Sequence, residues 1–191
     1  MRSDINILWI EDSPKWQEKT EKLFRLRIEQ FGLLTNIKYI SEGIPLFFEQ
    51  IKNESKGYKI YDIIFIDGLH TKEQVSKDIV NSLKCLNPGG KIVLHDCLPP
   101  SEEHQVVPRI PNCGWCGDVW KAIPEFIKQG LEINVVNCDF GCGIINYYEH
   151  PEEIKIPTNF THSWPDLNYC GNALMNIISP ESFLLLLLID K

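Results

Sequence analysis

The sequence has no apolar run long enough to cross a bilayer. Its longest, Phe183 to Ile189, holds seven residues where a spanning helix needs ~20, so that run is expected to be a core strand or the end of a helix. Basic clusters are also missing: 19 Lys and Arg stand against 26 Asp and Glu, for a net charge of −7 and a pI near 5.2. This balance argues against a generic binder of nucleic acid or anionic membrane. No N-terminal segment has the charged-then-apolar form of an export signal. The expectation is therefore a cytoplasmic protein whose seven cysteines are reduced thiols. No internal repeat is visible, and the turn from Ile10 to Trp16 contains no glycine.

What is present is an ordinary globular composition, 43% apolar and 24% charged over 191 residues, enough for one core and one domain spanning 1–191. The stretch from Tyr61 to Asp96 organises the rest. Ile63 to Ile66 is a short apolar, mostly β-branched run that reads as a strand buried on both faces, and it ends on Asp67. From Thr71, Val75, Ile79, Val80, Leu83 and Leu86 recur at helical spacing, and Asn87-Pro88-Gly89-Gly90 reads as the stop. Lys91 to Leu94 is a second strand, ending on His95 and Asp96. Two parallel strands joined by a helix present Asp67, His70, His95 and Asp96 on one rim, the edge where open α/β sheets bind ligands.

Upstream, Ile5–Ile10 is a strand pattern ending at Glu11-Asp12. A helix follows from Ser13-Pro14, with Trp16, Leu23, Phe24, Leu26 and Ile28 on its apolar side. Asn36–Ile40 is a further strand, Ile44–Ile51 a further helix, and Asn53–Lys59 a polar loop. This alternation predicts a parallel sheet with helices on both faces. Downstream, Cys97–Cys116 has no periodicity and reads as a functional loop. A helix over Gly117–Gln129 is expected to kink or break at Pro124. Glu132–Cys138 and Gly143–Tyr147 read as an antiparallel strand pair, His150–Asn168 as irregular, and Ala173–Leu188 as a helix broken at Ser179-Pro180.

The run IDGLHTKEQVSKDI…LKCLNPGGKIVLHDC, with GDVWKAI at 117–123, resembles class I S-adenosylmethionine-dependent methyltransferases, most closely bacterial enzymes tied to sugar or surface-polysaccharide modification. The resemblance implies a Rossmann-like methyltransferase sheet, mostly parallel with an antiparallel C-terminal strand, and the cofactor S-adenosylmethionine. It implies Glu11, with Asp12 as the near alternative, as the ribose-gripping acid. A carboxylate suits a vicinal diol because it accepts two hydrogen bonds. It also implies Ser41, Glu42 and Gly43 near the adenine, and Asp67 beside the cofactor.

In metal-dependent O-methyltransferases of this fold the positions of Asp67, His95 and Asp96 hold a divalent cation, Mg²⁺ or Mn²⁺. The position of His70, three residues past Asp67, holds the general base. The expected catalytic set is thus His70, Asp67 and Asp96. His95 stands where those enzymes carry a carboxylate, and imidazole suits Mn²⁺, Fe²⁺ or Zn²⁺ better than Mg²⁺. The acceptor would be a hydroxyl of a small molecule or sugar, with no nucleic-acid or membrane partner and a homo-oligomer left open. The family's central first strand and its glycine-rich turn are absent. The expectation is either an N-terminally incomplete chain or a sheet closed over the gap in the order 2-1-3-4.

Two other readings stay open. One is a methyltransferase-like remnant without catalysis. The other is a receiver-like phospho-signalling domain, because ILWIEDSPKW and YDIIFID also resemble the first and third strands of receivers, with Glu11 and Asp12 beside a phospho-accepting Asp67. A zinc site on Cys113, Cys116, Cys138 and Cys142 and a redox dithiol at Cys113-Cys116 are weaker alternatives.

Overall fold

The computed structural model describes residues 4–11, 34–40, 61–146 and 154–189. The helices expected over 13–31 and 44–51, the loop over 53–59, and Asp12, Ser41, Glu42 and Gly43 lie outside these residues. The strands are β1 (Asp4–Glu11), β2 (Leu34–Ile40), β3 (Tyr61–Asp67), β4 (Leu86–Leu94), β5 (Glu132–Val136), β6 (Cys142–Asn146) and β7 (Ile177–Ile178). They form one sheet in the order β2-β1-β3-β4-β6-β5-β7. Only β6 runs against its neighbours; the other pairings are parallel. This is a Rossmann-like α/β fold with an antiparallel strand near its C-terminal edge. The sheet is continuous where the resembled family has its first strand: β1 pairs directly with β3, from Ile7↔Ile63 to Glu11↔Asp67.

The helix α1 (Lys72–Cys85) is capped by Thr71, whose hydroxyl accepts from the Gln74 amide, the usual use of Thr before a first turn. Its apolar stripe of Val75, Ile79 and Leu83 packs on Leu8, Ile64, Ile66, Ile92 and Leu94 in a single core. Ile64 and Ile66 are buried while Ile63 and Phe65 are half-buried, so β3 alternates rather than being covered equally on both faces. The same core takes in α2 (Ala122–Lys128) through Ile123 and Phe126.

Four local expectations change. Asn87–Gly90 is not a free turn after the helix. It lies within β4, where the two steps from Tyr61 to Ile63 face the five from Leu86 to Lys91. The surplus is absorbed by Gly89 at φ +75° and by Gly90, whose Cβ would sit 2.9 Å from the Asp62 carbonyl oxygen. The Asp62 carboxylate holds this irregularity by accepting from Asn87 Nδ2 at 2.7 Å and from the Asn6 amide of β1 at 2.9 Å.

The helix expected over Gly117–Gln129 is divided into a 3₁₀ turn over Val119–Lys121 and α2, with Pro124 the third residue of α2, a first-turn position that proline tolerates.

The irregular stretch ends earlier than expected, because α3 spans Trp164–Met175. Its start is fixed by Asp166 Oδ2 accepting from the Ser163 amide at 2.7 Å and from the Ser163 hydroxyl at 2.8 Å, with Pro165 in the first turn. Asn176, left-handed at φ 49°, stops it, and β7 pairs with β5 before α4 (Pro180–Ile189) begins.

Leu184, Leu185 and Leu186 of α4 are not core residues. Leu184 and Leu185 are each 60% exposed and Leu186 is 42% exposed. Sequence apolarity says that a segment favours burial, but not that a partner surface exists within the chain.

Asp78 is a buried acid on α1, accepting from Gln74 Nε2 at 2.8 Å. Burial raises its pKa from 3.8 to about 7. A folded-state pKa above the unfolded one stabilises the fold fully below the unfolded value, and that contribution is lost as pH rises toward 7. The interval corresponds to on the order of 4 kcal/mol. Asp78→Asn keeps the acceptor without the charge. It should raise the urea midpoint most at pH 8, less than half as much at pH 5 and hardly at all below pH 4; a gain equal at pH 8 and pH 5 would contradict the assignment.

Candidate functional site

β3 and β4 are neighbours in parallel register through Ile66↔Leu94, and the ladder extends one bond further, from the His95 amide to the Ile66 carbonyl at 3.0 Å. Asp67 and His95 therefore leave the sheet at the same height. In continued strand geometry His95 and Asp96 would point to opposite faces. Asp96 instead adopts φ 61°, a left-handed conformation that Asp tolerates better than most residues. The chain turns there, and His95 and Asp96 face the same cluster.

Four side chains meet at this rim. His70 Nδ1 lies 3.0 Å from Asp96 Oδ2, and His70 Nε2 lies 3.6 Å from Asp67 Oδ1. His95 Nδ1 lies 3.2 Å from Asp67 Oδ1 and 3.5 Å from Asp96 Oδ2. All are partly or wholly buried. For His95, burial opposes the charged ring, but the carboxylates of Asp67 and Asp96 outweigh it and push its pKa up to about 11. For Asp96, burial opposes the charge, but the two imidazoles hold its carboxyl far below the usual range. His70 is raised by the same balance: burial lowers it, and Asp96, Asp67 and the Trp115 carbonyl more than compensate.

His70 has a defined tautomer. Its Nδ1 also faces the Trp115 carbonyl oxygen at 3.1 Å, so both neighbours of Nδ1 are acceptors without a proton. Nδ1 must donate, and Nε2 is the nitrogen left to gain or lose a proton. The Trp115 ring stacks on the imidazole at 5.2 Å and 14°, and its own Nε1 donates to the Val106 carbonyl at 2.7 Å.

The segment 97–118 returns over the rim to place Trp115 there. Asp118 Oδ1 accepts from the Lys72 amide at 2.8 Å and Asp118 Oδ2 from Lys72 Nζ at 2.9 Å, which fastens the end of the loop to the start of α1. The Asp118 amide donates to the His70 carbonyl at 3.2 Å. Asp118 and Gly117 have no role assigned from the sequence, and Trp115 only that of a candidate substrate-stacking aromatic. Only GDVWKAI hinted at the first, because an acid preceding a helix is a common cap.

The group among the described residues suited to a metal ion is Asp67, His95 and Asp96, whose ligand atoms all lie within 4.8 Å of one another. One further observation fits a cation: His95 Nδ1 is buried and lacks any aligned hydrogen-bond partner, although carboxylate oxygens stand close. A proton that Asp67 and Asp96 favour at this nitrogen is one that a coordinating cation would displace. Among the described residues no three cysteines converge in this way, and all seven are free thiols. Trp120 is a core residue, fully buried with Nε1 donating to Gln105 Oε1 at 3.0 Å. The backbone of Glu11 pairs with Asp67, placing that residue at the same rim. No helix of the described residues is long and apolar enough to cross a membrane.

The receiver-like reading loses ground on topology. Beyond β4 the sheet continues with antiparallel β6, where a doubly wound receiver sheet would continue in parallel.

Comparison with known proteins gives one family: residues 6–97 match the methyltransferase domain family. The O-methyltransferase from Bacillus cereus in complex with SAH is 21% identical, with 74% of this chain and 72% of that chain covered, at a TM-score of 0.40. No curated protein matches the sequence.

The packing of the loop on His70 is testable at Gly117. It has φ +60°, and a Cβ there would collide with the His70 carbonyl. Gly130 has φ +89° with nothing within 4 Å, so it reports left-handed strain alone, about 1–2 kcal/mol. Gly117→Ala should lower stability in urea by at least roughly 2 kcal/mol more than Gly130→Ala. Equal losses would mean that the loop does not rest on His70.

Proposed function

We propose, from a chain whose residues 6–97 belong to the methyltransferase domain family, that it transfers the methyl group of S-adenosylmethionine to a hydroxyl of a small molecule or sugar. The observation that supports this best is the His70–Asp96 pair on the rim, with Nδ1 facing two acceptors and Nε2, 3.6 Å from Asp67 Oδ1, left for proton transfer. A hydroxyl is a poor nucleophile unless its proton has somewhere to go. His70 Nε2 takes that proton as the oxygen–carbon bond forms and the sulfur–carbon bond breaks. Asp96, ionised and in contact with Nδ1, stabilises the resulting imidazolium and holds the ring in place. Trp115 covers one face of that ring.

Asp67, His95 and Asp96 are the residues that would hold a divalent cation. Such an ion supplies Lewis-acid polarisation that lowers the pKa of the acceptor hydroxyl. Glu11, at the end of β1 beside Asp67, is the residue proposed to accept from the ribose hydroxyls. Asp12, Ser41, Glu42 and Gly43 complete the proposed cofactor contacts. The family's glycine-rich turn has no counterpart in the glycine-free sequence from Ile10 to Trp16, so the proposed cofactor binding rests on the ends of β1 and β3. The rival reading, a folded module that no longer binds cofactor, follows from the same lack.

Calorimetry separates the two. S-adenosylmethionine should bind with a micromolar Kd, and Glu11→Ala should weaken binding at least about tenfold through the lost bidentate acceptor. His70→Gln should leave that Kd unchanged. Absence of binding by the wild-type chain would overturn the enzyme reading in favour of the remnant, and labelling of Asp67 by acetyl phosphate would favour the receiver.

A further inference from the structure

The β5–β6 turn holds two cysteines that the proposed reaction does not use. Val136 pairs with Cys142 across the strands. Cys138 lies just past Val136, and its amide donates back to the Val136 carbonyl at 2.9 Å, a γ-turn that draws the chain in. The Gly141 amide then donates to the Cys138 carbonyl at 2.7 Å, closing a β-turn. Asp139, Phe140 and Gly141 within it are all left-handed, at φ 43°, 59° and 88°. Together these bonds fold Cys138 back toward the strand end that carries Cys142, and the two thiols act on each other. Burial, then the neighbouring Cys138 thiol, pushes the Cys142 pKa up to about 12. The turn as a whole rests against the chain just past Asp96. The Cys97 amide donates to the Gly141 carbonyl at 3.0 Å, and the Leu98 amide to the Phe140 carbonyl at 2.6 Å. Asp139 Oδ2 lies 3.4 Å from His95 Nε2, so the turn reaches the rim.

Access separates this pair from the other thiols. Cys138 is exposed and Cys142 half-buried, whereas Cys85, Cys97 and Cys116 are buried. The Cys113–Cys116 spacing therefore has one thiol out of reach of a soluble oxidant. We propose that Cys138 and Cys142 form a thiol-oxidation site, where a low-molecular-weight disulfide makes an intramolecular bridge that locks the β5–β6 turn against Cys97 and Leu98. The Cys138 thiolate, the reachable one, attacks a sulfur of the oxidant, forming a mixed disulfide and expelling one thiolate. The Cys142 thiolate then attacks the Cys138 sulfur and expels the second. The two protein protons pass to the two departing thiolates, so the protein loses two electrons and the oxidant gains them. A bridge needs Cα atoms about 4.4–6.8 Å apart, the scale on which a β-turn brings its ends together. A thiol of high pKa is a poor leaving group, so the bridge reopens slowly at Cys142. The inference goes beyond methyl transfer and does not depend on it.

The test holds the intact chain in glutathione buffers of rising oxidised fraction, quenches with acid, blocks free thiols with N-ethylmaleimide and maps the peptides by mass spectrometry. Wild type should show Cys138 joined to Cys142, with a bridged-to-reduced ratio that falls as the square of the reduced glutathione concentration. Cys142→Ser should leave Cys138 as a mixed disulfide with glutathione, and Cys138→Ser should leave Cys142 reduced. Both positions lie at the turn rather than in the core, so the urea midpoints of the reduced variants should match that of the reduced wild type. Amide hydrogen exchange reads the lock. Cys97 and Leu98 should exchange at least about fivefold more slowly in the bridged form, because a bridged turn opens less often. Glutathione resting on Cys138 of the wild type without a bridge, a bridge between Cys113 and Cys116 in its place, or an unreactive Cys138 would each overturn the proposal. Unchanged exchange at Cys97 and Leu98 in the bridged form would overturn the locking.

Discussion

The register of β3 against β4 is the constraint on which the site depends. Ile66 faces Leu94, so two strands of different length run out at one level and deliver Asp67 beside His95. A slip by one residue would turn the pleat over and send these side chains to the wrong face. The sequence accommodates this register at the opposite end of the strands. There Asn87–Gly90 takes up the surplus of β4, and Asp62 ties β4 and β1 to β3 through two hydrogen bonds. The polar residues at the start of the strands thereby set the alignment of the polar residues at their end.

Register places Asp67 and His95, and the left-handed turn at Asp96 adds the third group. His70 lies beyond β3 and is held by the loop that closes over it. Asp118 joins the loop's end to Lys72 by two short bonds from a nearly buried carboxylate, and Trp115 offers both a carbonyl and a ring face to the imidazole. The result is two histidines and two acids whose charges reinforce one another. Each acid favours the protonated rings, and the rings keep Asp96 ionised. The field that would retain a proton on His95 is the same field that attracts a cation, which is why a metal and a proton would compete for that nitrogen.

How much of this was legible in the sequence differs by residue. The rim was legible because Ile63–Ile66 and Lys91–Leu94 are apolar runs that each stop on charged or polar residues. Parallel connection then brings those stops together whatever the loops do. A sheet closed over the place of the family's first strand, in the order 2-1-3-4, is one of the two arrangements the sequence left open, and the described strands take that order. The helix at Trp164 was missed although Ser163, Pro165 and Asp166 spelled its cap, since proline-rich surroundings masked the signal. The exposure of Leu184–Leu186 and the use of Asn87–Gly90 inside a strand were not legible, because both depend on what the rest of the chain packs against. Asp139 was out of reach for the same reason: it meets His95 only because a left-handed turn docks on Cys97 and Leu98.

The central claim is that the strand register and the overlying loop set His70 against Asp96, so that its Nδ1 donates and its Nε2 is the working nitrogen. Nitrogen-15 NMR of the imidazole rings, taken at a pH where His70 is neutral, reads this directly. A free histidine side chain in water prefers its proton on Nε2. The account predicts the opposite for His70, a protonated Nδ1 and a lone pair on Nε2. A ring protonated on Nε2, or one exchanging freely between the two forms, would contradict it.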